Sequence, residues 1–138
     1  MLTRLPKALR AVIRKTPKTV YDTASGQIVT EEKPLWLLSE MEVFGENKNG
    51  QQTEAATQQQ YDYFAAGNWT KAFDYSGTAT LVWLRNPYGT NALCTISTTG
   101  ETSYNKTTDS GGALLGFALG GGKEAKLDSM ILDQAVLG

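Results

Sequence analysis

Any chemistry done by this chain has to be done without histidine, because its 138 residues contain none. That removes the usual general base, the usual activator of a serine or cysteine nucleophile and the commonest metal ligand. Cys94 is the single cysteine, so no intrachain disulfide can form and stability must come from packing. It falls in the alternating run Ala92-Leu93-Cys94-Thr95-Ile96-Ser97, where a small buried residue is expected rather than a reactive thiol.

Paired carboxylates are the remaining route to hydrolysis or group transfer. Glu40 with Glu42, and Asp62 with Asp74, are the close candidates. Glu42 has a structural explanation, since Ser39-Glu40-Met41-Glu42 matches a capping box in which Ser39 accepts from first-turn amides and Glu42 reaches back. Glu40 is then expected to face solvent at the start of that helix. Gly120-Gly121-Gly122-Lys123 lacks the GxxxxGK[ST] spacing of a phosphate loop. Asp109, Asn105 and Glu101 are oxygen ligands of the kind calcium takes, but turn chemistry accounts for them without a metal. Neither a metal nor a cofactor is expected.

Binding is the chemistry these residues favour. Trp83 and Arg85 lie two apart in a strand-like run and so point to one face. Either they form a stacking and hydrogen-bonding surface, or Trp83 is core and Arg85 braces a loop or a carboxylate such as Glu40; the second reading is the stronger. The loops Asn86 to Asn91, Thr98 to Asp109 and Glu46 to Gln60 carry Tyr, Asn, Thr, Ser and Gly, which give adaptable contacts around aromatic anchors. Arg85, Asn86, Tyr88, Asn91, Tyr104 and Asn105 are the candidate ligand-binding residues, for a protein or carbohydrate partner.

Positioning them falls to short elements. Leu5, Leu9, Val12 and Ile13 predict an amphipathic helix over Leu5 to Lys15, stopped by Pro17. Lys18 to Tyr21 and Gln27 to Thr30 read as two strand arms around Ser25-Gly26. Leu35-Trp36-Leu37-Leu38 reads as a buried strand, Ser39 to Gly45 as a helical turn, and Glu46 to Gln60 as a long polar loop. Tyr61 to Tyr75 is too irregular to assign. Leu81 to Leu84 is a central strand ended by the turn signal Asn86-Pro87-Tyr88-Gly89. Ala92 to Ser97 is a second strand, Thr102 to Tyr104 pairs back, and Ala113 to Leu119 is a last apolar strand. Trp36, Leu38, Phe44, Phe64, Trp83, Leu84, Ile96 and Phe117 are the predicted core. After Gly120-Gly121-Gly122, a helical stripe of Leu127, Met130, Ile131 and Leu137 predicts a mobile tail that pairs with another copy.

Leu35-Trp36-Leu37-Leu38-Ser39-Glu40-Met41-Glu42-Val43-Phe44-Gly45 is the most distinctive stretch. With Gln60-Tyr61-Asp62-Tyr63-Phe64, Val82-Trp83-Leu84-Arg85-Asn86-Pro87 and the closing Gly112 to Leu119, it resembles DUF6273, an uncharacterised domain family common in Firmicutes and their phages. Members carry LLSExEVFG, a short aromatic segment, WWLRSP and a last strand of the form GVRPAFCL. At greater distance the order resembles the C-type-lectin-like and sulfatase-modifying folds, which implies an α+β, lectin-like mixed sheet with short helices and long loops. Ala113-Leu114-Leu115 stands where the family has Val-Arg-Pro, so an expected arginine is missing. The chain also begins inside the family pattern, as a shortened chain or one completed by a partner's strand would.

With 13 Lys and Arg against 14 Asp and Glu, a net charge of −1 draws in neither nucleic acid nor anionic lipid. Arg4, Lys7, Arg10, Arg14, Lys15 and Lys18 cluster before the first acidic residue, as the solvated face of a docked helix would. The length fits one domain, and no run approaches the roughly 20 apolar residues of a membrane span. The sequence therefore divides into residues 1–120, the lectin-type domain, and 121–138, the glycine-linked tail. Function is expected to be non-enzymatic recognition or structure, on a phage virion or bacterial surface, with homo-oligomerisation through the tail and no nucleic acid or membrane insertion. A carboxylate-dependent hydrolase or transferase, or a self-assembly domain, is the alternative.

Overall fold

The strongest local signal is a hairpin. Asp22 accepts the amides of Ala24 (3.0 Å) and Ser25 (3.3 Å), and Gly26 closes the turn with φ 68°. The two seven-residue arms, β2 (Thr16–Asp22) and β3 (Gln27–Lys33), pair from Thr16↔Lys33 to Asp22↔Gln27. In a computed structural model, which describes residues 2–50, 59–67 and 71–120, this hairpin is one of five small sheets. Pro17 lies inside β2 instead of ending a helix; with a partner on one side only, the strand loses no ladder bond to it.

The amino-terminal helix is shorter than its apolar spacing predicts. A 3-10 turn (Leu2–Arg4) leads into α1 (Lys7–Val12), and at Ile13 the backbone becomes extended as β1 (Ile13–Arg14). Pro6 at the cap offers no side-chain bond to the first amides, and the β-branched pair Val12-Ile13 favours a strand once a partner strand is near. Next, β4 (Trp36–Leu37) and α2 (Glu40–Phe44) follow the expected strand-to-helix order, and α3 (Asp62–Ala65) carries Phe64 inward.

The main sheet has the order β10-β7-β8-β9, with β7 (Val82–Tyr88), β8 (Ala92–Ile96), β9 (Thr102–Lys106) and β10 (Gly112–Ala113), and a side hairpin joins β5 (Phe73–Tyr75) to β6 (Thr78–Thr80). β7 runs through the predicted turn at Asn86-Pro87, because a register shift between Trp83 and Pro87 absorbs the proline. The chain reverses at Gly89, φ 66°, instead. The expected final strand is divided three ways: β10 pairs parallel with β7, β11 (Leu115–Gly116) antiparallel with β4, and β12 (Ala118–Leu119) antiparallel with β1.

Trp36, Leu38, Val43, Phe64, Val82, Leu84, Cys94 and Ile96 form the core, with Phe44 half-buried against it. Two of the predicted core residues are elsewhere. Trp83 is half-buried on the other face of β7 from Leu84, and Phe117 is exposed because the divided last segment turns it outward between β11 and β12. The described residues are thus a β-rich α+β body. Among them no helix is long and apolar enough to cross a membrane. The tail residues Leu127, Met130, Ile131 and Leu137 lie outside the described residues.

Candidate functional site

The two glutamates of α2 are the first place to look for chemistry. Glu42 is at the third helical position, and the capping box places its carboxylate back over the helix start: Ser39 N donates to Oε2 (3.0 Å) while Glu42 N donates to Ser39 Oγ (3.0 Å). Arg85 Nη1 donates to the same Oε2 at 2.5 Å, and Lys18 Nζ (2.6 Å) and the Tyr61 hydroxyl (2.9 Å) donate to Oε1. Burial by itself raises the Glu42 pKa, but the bonds and charges of Arg85 and Lys18 outweigh it, so the carboxyl sits below its ordinary value. Lys18 Nζ also lies 4.3 Å over the Trp36 ring, and the Tyr61 oxygen accepts from Trp36 Nε1 (3.2 Å) and Lys18. A hollow of about 450 Å³ opens over Lys18, Glu42 and Tyr61. Lys18 and Glu42 within it already satisfy one another.

Glu40 does not face solvent; it is fully buried. Its Oε2 accepts the Gly50 amide (2.8 Å), its Oε1 accepts Thr102 Oγ1 (2.5 Å), and the Asn49 amide is shared between them (3.2 and 3.3 Å). Asn49 Nδ2 donates in turn to Thr102 Oγ1 (2.9 Å). The carboxylate is buried because backbone amides nine and ten residues further on come back to it, which the local pattern of a helix start does not reveal. Both glutamates are therefore occupied as acceptors, and they brace the loop and strands around α2.

Arg85 and Asn86 point into the protein. Besides Glu42, Arg85 donates to the carbonyls of Thr19 (Nε, 3.1 Å) and Leu37 (Nη1, 3.0 Å), so it braces a carboxylate, Glu42 instead of Glu40, and two strands instead of a loop. Asn86 is buried, its Oδ1 accepting the Glu40 amide at 2.8 Å. The other four candidates line one hollow, although the register puts the Asn105 side chain on the opposite face of β9 from Tyr104. The register places Ala92, Cys94 and Ile96 of β8 on the same face as Lys106, Tyr104 and Thr102 of β9. Ile96 and Cys94 are buried, whereas Tyr88 (37% exposed) and Tyr104 (49%) remain open at the other end. Their rings stack with centroids 3.9 Å apart and planes 13° from parallel. The hydrogen bond and charge of Tyr104, followed by slight burial, raise the Tyr88 hydroxyl above its ordinary pKa.

Tyr88, Asn91, Tyr104 and Asn105 line a hollow of about 600 Å³ together with Thr90, Ala92, Lys106 and Asp109. Asn105 is its brace: Oδ1 accepts Thr95 Oγ1 (2.9 Å) and Nδ2 donates to Asp109 Oδ2 (3.3 Å), which also accepts the Lys106 amide (3.2 Å). Asp109 is thus bound in a turn, and no group of His, Cys, Asp and Glu among the described residues is arranged to hold a metal ion. Lys106 and Thr90 lie inside the binding loops read from the sequence but are not among the six residues singled out there. The period of two from Tyr104 marks Lys106, and Thr90 follows once the turn is moved from Pro87 to Gly89.

Fold and surface together define a small β-rich domain with buried, self-satisfied charges and an open aromatic shelf. The family model described as a domain of unknown function, DUF6273, matches residues 1–114, and the chain belongs to that family. No curated protein and no solved structure matches it.

Proposed function

We propose that this domain is a non-enzymatic recognition module of a phage virion or bacterial surface, with a lectin-type scaffold, and that Tyr88, Asn91, Tyr104 and their neighbours meet the ligand. The observation that carries this reading is the Tyr88–Tyr104 stack, exposed yet mounted on paired strands. Large aromatic side chains held rigidly at a surface bind with little loss of conformational entropy. The internal saturation of Glu40 and Glu42 supports recognition over carboxylate catalysis, since general acid–base work needs a carboxyl that can exchange a proton with a substrate. The surface location rests on the resemblance to a family found in Firmicutes and their phages.

Co-sedimentation of the labelled full chain with intact Gram-positive cells tests the proposal. Wild type should sediment with cells and a Tyr88→Ala/Tyr104→Ala variant of unchanged circular dichroism should stay in solution. Equal behaviour of the two proteins overturns it.

A further inference from the structure

Resting on that reading, we propose that the ligand taken by the Tyr88–Tyr104 hollow is an uncharged saccharide. A pyranose ring has an apolar C–H face and a rim of hydroxyls, so its site must put an aromatic ring beside groups that both donate and accept. This hollow does so. Its apolar surface is the tyrosine pair with Ala92, and the rest of its lining includes the polar residues Thr90, Asn91, Lys106 and Asp109.

Several of these groups have their bonding capacity left over. Asn91 contributes its backbone carbonyl to Thr107 (N at 3.0 Å, Oγ1 at 3.3 Å), while its carboxamide has no protein partner among the described residues. Lys106 has no ion pair among them, and Asp109 uses only Oδ2 in its turn, leaving Oδ1 as an acceptor. The supporting groups are fixed beforehand by the Thr95–Asn105–Asp109 chain and the β8–β9 ladder, which reduces the ordering cost of binding a flexible glycan.

The charge and shape argue against other ligands. One lysine and one aspartate are the charged residues of the lining, so a polyanion gains no net attraction. A protein partner needs a desolvated apolar pocket for an anchor side chain, and the lining beyond the tyrosines and Ala92 is polar. A volume of about 600 Å³ lies within the range of roughly 300–1,000 Å³ typical of small-molecule sites.

Two measurements on the full chain decide the matter. In a ¹⁵N-amide NMR titration with chitotriose and maltotriose, at least one should cause saturable shifts confined to residues 88–92 and 104–109. Tyr104→Ala should weaken that binding by about tenfold or more, the loss expected for an anchoring aromatic. Separately, cells are treated with periodate, which cleaves sugar diols, or with protease, before sedimentation. Tyrosine-dependent binding that periodate abolishes and protease spares carries the same conclusion for a longer glycan. If neither trisaccharide shifts these amides and tyrosine-dependent cell binding survives periodate, the saccharide inference is overturned while recognition stands. If neither trisaccharide nor cells bind, both fall.

Discussion

Glu42 receives hydrogen bonds from Lys18, Ser39, Tyr61 and Arg85, groups that belong to four separate stretches of chain. Replacing it by glutamine keeps the size of the side chain but leaves the Lys18 and Arg85 charges, both nearly buried, without their counter-ion. Breaking a buried pair from one side typically costs about 3–5 kcal/mol, and urea unfolding of Glu42→Gln at neutral pH should show a loss of that order. Protons supply a second readout. Because the folded-state pKa lies below the ordinary 4.5, the unfolded chain binds more protons in between, and stability falls as the pH drops. The contribution is whole above 4.5 and disappears as the pH passes down through the folded value. Glu42→Gln should therefore have a flatter stability profile in acid than wild type; identical acid slopes would show that the clamp is not what titrates.

Among the elements, α2 is only five residues long and cannot persist on intrinsic propensity. Its start is fixed by the Ser39–Glu42 box and its end by Gly45 in the left-handed region, φ 77°. Ser39→Ala should lower stability by about 1 kcal/mol, read as a shift in urea midpoint with unchanged slope. An unshifted midpoint would mean that Glu42's other partners already hold the turn. This box was legible in the sequence because its partners are three residues apart. The β2–β3 hairpin was legible for the same reason, with its turn encoded in Asp22 to Gly26. Glu40 was not, since the amides that bury it come from Asn49 and Gly50. Nor was the division of the last strand, because Leu115 and Leu119 find their partners in β4 and β1, far back in the chain. On the shelf, Tyr88 and Tyr104 could be chosen by type and loop position. Their stacking needed the register of β7, β8 and β9, whereas Arg85 and Asn86 fall in the register shift between Trp83 and Pro87, which no local pattern announces.

Taken whole, the molecule encloses its single thiol. Cys94 is fully buried, and burial, then the charge and hydrogen bond of Glu40, push its pKa up to about 12. At neutral pH it stays protonated and out of reach, so a thiol reagent should label the native protein only through opening of the fold. Labelling rates measured across urea concentrations should rise along the same curve as tryptophan fluorescence reports unfolding. Rapid labelling without urea would contradict the closed core. Gly50 is part of the enclosure, since a Cβ there would lie 3.1 Å from Cys94 Sγ and 2.9 Å from Asn86 Cβ.

The short run from Gly112 to Leu119 touches β7, β4 and β1 in turn. On the ribosome, every one of those partners emerges long before the residues that complete it. The nascent chain can close its hairpins early, as their contacts are local, but among the described residues β1 and β4 pair only with strands of this run. Folding of the body therefore waits on the run from Gly112 to Leu119, and a chain cut before Leu115 should keep its local hairpins while β4 and β1 lack the strands that pair with them.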